Sequence, residues 1–255
     1  MSKLPKEHRF IDLSDYGRPI AIVIATSLKN TSVTPVHITL AFTVFGLIAI
    51  MCMLQGYYWA AAFFYIFKSI LDAADGELAR IKNTPSYTGR YLDSLADIIL
   101  NLLIFTGLYF LTGINVIFAL LAFIGLQLQG TLYNYYYVIL RNKFDGDKTS
   151  RIIENKTPVA MVGEKQKNVD VLFRIYRILY GKFDEFIFFL DPKASKTNSF
   201  PNWFMTAVST FGLGFQLLII SVMLVSGWKD FIIPFFIFYS LFIFVFIGLR
   251  KIWLD

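Results

Sequence analysis

The sequence predicts an all-α integral membrane fold, with six transmembrane helices preceded by an N-terminal interfacial amphipathic helix. Three observations predict it. The 255 residues are 56% hydrophobic and 18% aromatic but only 16% charged, where a soluble domain carries about a quarter charged residues. Phe alone occurs 27 times, more apolar bulk than a water-facing surface takes. Six stretches reach the roughly 20 apolar residues that a bilayer crossing needs, and short links join them in pairs.

Residues 1–34 mix polar and charged side chains, with no short apolar core followed by small residues, so no cleavable leader is expected. Within them, residues 8–30 carry an apolar stretch from Ile20 to Ile24 and read as interfacial. Residues 35–255 read as one six-helix membrane domain. Its expected spans run from Pro35 to Leu54, Tyr57 to Ala79, Gly89 to Leu111, Ile114 to Leu140, Pro201 to Ser226 and Phe231 to Leu249. Gln55-Gly56, Thr112-Gly113 and the stretch from Gly227 to Asp230 link them as helical hairpins. The long loop, 141–200, holds a polar stretch, 143–168, expected to be flexible. It also holds residues 169–190, where Arg174, Arg177 and Lys182 alternate with Phe, Tyr, Ile and Leu. That pattern suits either a helix in the headgroup plane or a segment packed on the membrane domain.

Charge placement predicts orientation. Of the 24 Lys and Arg, only Lys229 falls in the hairpin links. The others gather on the opposite side or near it, mainly in residues 1–34, the 80–90 link, the 141–200 loop and at Arg250-Lys251. By the positive-inside rule that side, with both termini, is cytoplasmic. The net charge of +6 is then explained by anionic lipid, and no nucleic-acid partner is expected. The single Cys52 excludes an intrachain disulfide.

Chemistry concentrates between residues 72 and 97. Asp72 and Asp75 are three apart, and Asp93 and Asp97 four apart, so each pair shares a helix face. Carboxylates in apolar helices are costly and face a cavity or a partner. Pooled across a short link, the four make an oxygen-only site suited to Mg²⁺ or Mn²⁺, as one or two ions. No Cys or His accompanies them, so zinc is not expected. Gly76, Ala79 and Gly89 are small enough to admit a flat ring or a phosphate, and Arg80 offers a fork for phosphate oxygens. A lone Asp–Arg pair is more often a structural ion pair, and a lone small residue is more often helix packing. The whole string at fixed offsets points to a site.

Asp72, Asp75, Gly76, Ala79, Arg80, Gly89, Asp93 and Asp97 form D-x2-D-G-x2-A-R-x8-G-x3-D-x3-D. This resembles the signature of the CDP-alcohol phosphotransferase family, also called CDP-alcohol phosphatidyltransferases. The start of the first span, with Pro35 ahead of Thr39, is similar to the family as well. The resemblance covers residues 30–140 well and residues 200–250 by hydropathy alone. It implies that Asp72, Asp75 and Asp93 bind metal, and that Asp97 assists a second ion and acts as general base. It further implies that Asp72, Gly76, Ala79, Arg80 and Gly89 line the CDP site, and that the protein is a homodimer in a prokaryotic inner membrane with its site at the cytoplasmic face. The implied reaction is metal-dependent transfer of a substituted phosphate to a hydroxyl acceptor in phospholipid biosynthesis, with CMP leaving. CDP-diacylglycerol is the expected donor; the alternative is a soluble CDP-alcohol giving its phosphoalcohol to a lipid such as diacylglycerol. The loop 141–200 is longer than the minimal family pattern. The stretch after Asp97, IILNLLIF, lacks the SFG or Lys of particular subgroups, and no HGCD form is present, so the acceptor stays open. Readings of other classes are a cation transporter, which predicts acids near mid-membrane in broken helices, and a prenyltransferase, which needs two separate Asp-rich motifs.

Overall fold

The computed structural model describes residues 4–5, 8–144, 154, 156–197 and 200–253. Part of the expected flexible stretch 143–168, residues 145–153 and 155, lies outside them. Every regular element among the described residues is helical. A short 3-10 turn, Leu13–Asp15, leads into α1 (Arg18–Leu28). Ala21 and Ala25 of α1 are fully buried, while Ile20, Ile22 and Val23 point outward, so a narrow small-residue face docks and an apolar face stays exposed.

Pro35, with its preset φ, opens α2 (Pro35–Leu54), and the Thr34 amide donates to His37 Nδ1 at 3.0 Å. α2 pairs with α3 (Tyr58–Ile81), and α4 (Tyr87–Thr112) with α5 (Val116–Lys143). The expected links are the turns, and Gly56, Gly113 and Gly227 hold positive φ of 81°, 66° and 77° there, a conformation glycine adopts without steric cost. Leu40, Val44, Leu47 and Met51 on α2, and Ile117, Leu120, Leu121 and Ile124 on α5, are exposed. Such continuous apolar faces suit contact with lipid tails.

Four expectations change. Four helices or helix runs are long and apolar enough to cross a membrane, and a fifth is if one bent pair counts as a span. The expected span that falls short is the second, α3. Its length suffices, but Lys68, Asp72, Asp75, Glu77 and Arg80 load it from its middle onward, and Lys68, Asp75 and Glu77 turn inward and are buried.

The expected span 201–226 is broken. α8 (Asn202–Val208), a 3-10 turn (Ser209–Phe211) and α9 (Leu213–Val225) bend by 56°. The Leu13–Asp15 turn fills the elbow. The Leu13 amide donates to Ser209 Oγ at 2.9 Å, and a Cβ on Gly214 would stand 1.9 Å from the Ser14 carbonyl oxygen.

Residues 169–190 form two helices, α6 (Gln166–Leu179) and α7 (Gly181–Leu190), separated at Tyr180. α6 buries Val169, Phe173 and Tyr176 around Tyr91 of α4, so this stripe packs on the membrane domain, while Val171, Ile175 and Ile178 remain exposed.

The chain closes with α10 (Ile232–Tyr239) and α11 (Phe242–Trp253), stepped at Ser240, whose hydroxyl donates to Phe236 O at 2.7 Å. Arg250, expected at a basic surface, is instead fully buried, with Nε donating to Asp191 Oδ2 at 2.7 Å. Tyr136 donates to the same oxygen at 2.8 Å and Tyr135 to the Asp191 carbonyl at 2.9 Å, stapling α11 to α5 and to the end of α7. One core gathers α1–α4, α9 and α10, and a second gathers the C-terminal half of α5 with α8 and α11.

Candidate active site

α3 and α4 carry the signature aspartates onto facing surfaces, because spacings of three and four residues return to one side of a helix. Asp72, Asp75 and Asp93 each place an oxygen within 4.8 Å of the others. Thr39, one turn into α2, donates its hydroxyl to Asp75 Oδ2 at 2.7 Å and so orients that carboxylate. Asp93 Oδ1 is buried and has no hydrogen-bond partner. A buried oxygen of this kind calls for a ligand, and three convergent carboxylates suit a hard divalent cation. These residues therefore fit a metal.

Asp97 lies beside this trio and is held by Lys68, a residue outside the signature string. The buried Lys68 ammonium donates to Asp72 Oδ2 at 2.7 Å and, more closely, to Asp97 Oδ1, and it stands 4.5 Å from the centre of the Phe42 ring. Part of the counter-charge expected from metal alone is therefore built into α3. The available signal was the four-residue interval from Lys68 to Asp72, a standard ion-pair spacing.

The proposed nucleotide residues divide. Arg80 packs beside Gly76 and pairs with Glu77 at 2.9 Å, and its buried Nε has no partner. Glu77 also pairs with Arg18 of α1, so the buried acid inside the signature anchors two arginines. Gly89 sits in the first turn of α4, where its amide donates to the N-cap Ser86 Oγ at 2.8 Å. That helix end already holds an anion. Glu164 accepts from Ser86 Oγ and the Thr88 amide at 2.7 Å each and from the Tyr87 amide at 3.2 Å. Burial alone would raise the Glu164 carboxyl, but the Ser86, Thr88 and Met161 hydrogen bonds outweigh it and hold the carboxyl below its ordinary range. Nearby, Glu154 pairs with Arg90 and accepts from Tyr91 Oη at 2.6 Å. Two acids of the long loop thus strap it across the start of α4.

A cavity of about 350 Å³ opens from Asp72, Asp93 and Asp97 between α4, α5 and the Leu13–Asp15 turn. Arg90, Arg141, Tyr180 and Asp184 border it as well. Burial, with repulsion from Glu154, pushes the Asp184 carboxyl up to about 7, against the lowering influence of Tyr176 and Arg90. A second cavity of about 670 Å³ lies under α1, between Arg18, Glu77 and Ile81, away from the aspartate trio.

No curated protein matches the chain. A family model described as CDP-alcohol phosphatidyltransferase matches residues 32–162, more than half of the chain and all eight signature positions. Its members transfer substituted phosphate groups and are typically dependent on a divalent metal. With facing carboxylates, an inward-turned charged α3 and the adjoining cavity already in place, the match settles the assignment: the chain belongs to the CDP-alcohol phosphatidyltransferase family.

Proposed function

We propose that the protein transfers a phosphatidyl group from CDP-diacylglycerol to a small hydroxyl acceptor and releases CMP. The observation that carries this reading is the convergence of the Asp72, Asp75 and Asp93 oxygens within 4.8 Å at the head of a cavity. These three would hold Mg²⁺ or Mn²⁺, with Asp97 assisting a second ion. When bound, the cation offsets charge that builds on the diphosphate as its bond breaks.

The chain's own groups supply the remainder. Arg80 grips donor phosphate oxygens through its fork, with Asp72, Gly76, Ala79 and Gly89 lining the CDP path. The acceptor hydroxyl stands in the cavity beside Asp97, which takes its proton. The freed oxygen attacks the lipid-bearing phosphorus, that phosphorus loses its bond to the bridging oxygen, and CMP departs with the bond's electron pair. Lys68 holds Asp97 in place for that transfer. Acids placed at the head of a cavity, together with Arg80 and small residues, favour a nucleotide over an ion path. Assembly as a homodimer in a prokaryotic inner membrane, with the site and both termini cytoplasmic, belongs to the same reading. It is supported by the family and by the clustering of basic residues on one side of the hairpins.

The test uses purified protein and CDP-diacylglycerol labelled in its glycerolipid part, with Mg²⁺ or with EDTA. Metal-dependent CMP release with the label moving onto the acceptor is the expected result. Transfer of a headgroup from a soluble CDP-alcohol to diacylglycerol, with CDP-diacylglycerol left intact, would reverse the donor assignment. No nucleotide release under any condition would favour the transporter.

A further inference from the structure

We infer that Asn101 and Gln127 are the residues that read the acceptor, and that the acceptor is a small polyol, free or as its phosphate ester. This rests on the reading of the aspartates just given. Asn101 follows Asp93 and Asp97 at the same four-residue interval, so it extends the carboxylate stripe one turn further along α4. It is 5% exposed and borders the same cavity as Asp72 and Asp97. Gln127 reaches that cavity from α5, is 5% exposed, and has a buried Nε2 with no hydrogen-bond partner.

The neighbouring amides behave differently. Gln216 donates to Gln129 Oε1 at 3.0 Å and to Leu126 O at 3.2 Å, and Gln129 donates to Ser240 Oγ at 3.0 Å. Polar groups that serve packing in this region are therefore paired inside the protein. Gln127 is not, although both it and Asn101 lie in helices apolar enough to span a membrane. A polar group in such surroundings is retained where a ligand meets it.

The chemistry of the lining selects the ligand. A carboxamide donates and accepts, which matches a hydroxyl that does both. An amine-bearing acceptor would need an available acid, and the cavity's acids outside the cluster are engaged. Asp12 accepts from Tyr133, Asp15 pairs with Arg18, and Asp184 accepts from Tyr176 at 3.3 Å. Arg141 and Arg90, the latter in its pair with Glu154, also border the space, so a polyol phosphate shares the recognition of the free polyol. A volume of about 350 Å³ is enough for a compact polyol and sits at the small end of the range for ligand pockets.

The experiment uses the full chain in detergent with Mg²⁺ and CDP-diacylglycerol. The acceptors are glycerol, inositol and their monophosphates, set against serine, ethanolamine and cyclohexanol. Polyols or their phosphates are expected to be the best acceptors, and the two arms separate free from esterified. Asn101→Leu and Gln127→Leu, which suit an apolar helix, are expected to raise the polyol KM at least tenfold. The donor KM and calorimetric binding of Mg²⁺–CDP should stay within about twofold. The preferred polyol should also raise the unfolding temperature of the wild type and not of either variant, a readout that needs no turnover. Best use of serine, ethanolamine or cyclohexanol overturns the inference, as do unchanged polyol KM and unchanged polyol stabilisation in both variants. Loss of Mg²⁺–CDP binding by the wild type itself would instead sink the reading of the aspartates, and this inference with it.

Discussion

Replacing Lys68 with Met separates the charge built into the protein from the charge a metal would bring. Lys68 is 2% exposed and donates to both Asp72 and Asp97. Removing one partner from a buried ion pair costs about 3–5 kcal/mol, because the remaining charge loses its partner while staying desolvated. For a chain of this size each kcal/mol lowers the unfolding midpoint by about 2–4 °C. Lys68→Met in EDTA should therefore unfold about 6–20 °C below the wild type. The substitution also leaves the aspartate cluster one positive charge short, so a divalent cation should bind it more tightly. Mg²⁺ at a hundred times its dissociation constant adds about 2.7 kcal/mol, and the increment should be larger in the variant. Scanning fluorimetry in detergent at pH 7, with EDTA and across a Mg²⁺ series, measures both effects. An unchanged midpoint in EDTA would show that Lys68 carries no pairing energy. A metal-induced shift no larger than that of the wild type would refute the claim that the ammonium and the cation share one cluster of carboxylates.

Four further outcomes follow from particular contacts. Thr39→Val removes the hydroxyl that orients Asp75 and should weaken Mg²⁺ binding about 10-fold, the lower end for lost outer-sphere partners, as read by calorimetry. Asp97→Asn should cut kcat by about 10²–10⁴, the usual share of a general base, while Mg²⁺–CDP binding survives; wild-type turnover would remove Asp97 from that role. Asp184 is held up to about 7 by burial and by Glu154, whereas an unfolded Asp ionises near about 3.9. The unfolded chain therefore sheds its proton first, and stability falls as pH rises between those values. Asp184→Asn should accordingly melt higher than the wild type at pH 8 and close to it at pH 4, and an equal difference at both pH values would contradict the assignment. Gly214→Ala puts a Cβ into the Ser14 backbone, so it should displace the N-terminal turn and raise the acceptor KM more than the donor KM in steady-state assays.

The helical class, the three hairpin links and the facing aspartates were all legible in the sequence, because each depends on local spacing or on glycine at a turn. Asp75 and Asp93 meet because they stand on consecutive helices that both pack on α2 and are joined by a five-residue link, 82–86. Features set by distant partners were not legible. α3 reads as an ordinary span by length, yet its inner half works as a charged core element, since Glu77 is matched by Arg18 from a helix about 60 residues earlier. The split of 169–190 falls at Tyr180, whose hydroxyl donates to the Ser94 carbonyl of α4 at 3.0 Å, a partner far away in the sequence. Arg250 looked like an inside-positive marker because its partner, Asp191, lies in the loop region and carries no local pattern.

The elbow in the fifth apolar segment shows why such features matter for function. Hydropathy runs on through Gly212 and Gly214, and two glycines in an apolar helix usually indicate close packing. Here they face Ser14 from the far end of the chain, Gly212 against its side chain and Gly214 against its carbonyl oxygen. The same turn places Asp12, fixed by Tyr133, on the wall of the cavity that faces Asp97. α3 and α4 thus supply the carboxylates, while the opposite wall is assembled from the N-terminal turn, α5 and the broken segment. The carboxylate side carries the family signature, and the other side brings together α5, which the family model also spans, with the N-terminal turn and the broken segment, which lie outside it. The choice of acceptor therefore draws on both walls, with Asn101 on α4 and, across the cavity, Gln127 on α5 with its buried Nε2 unpartnered.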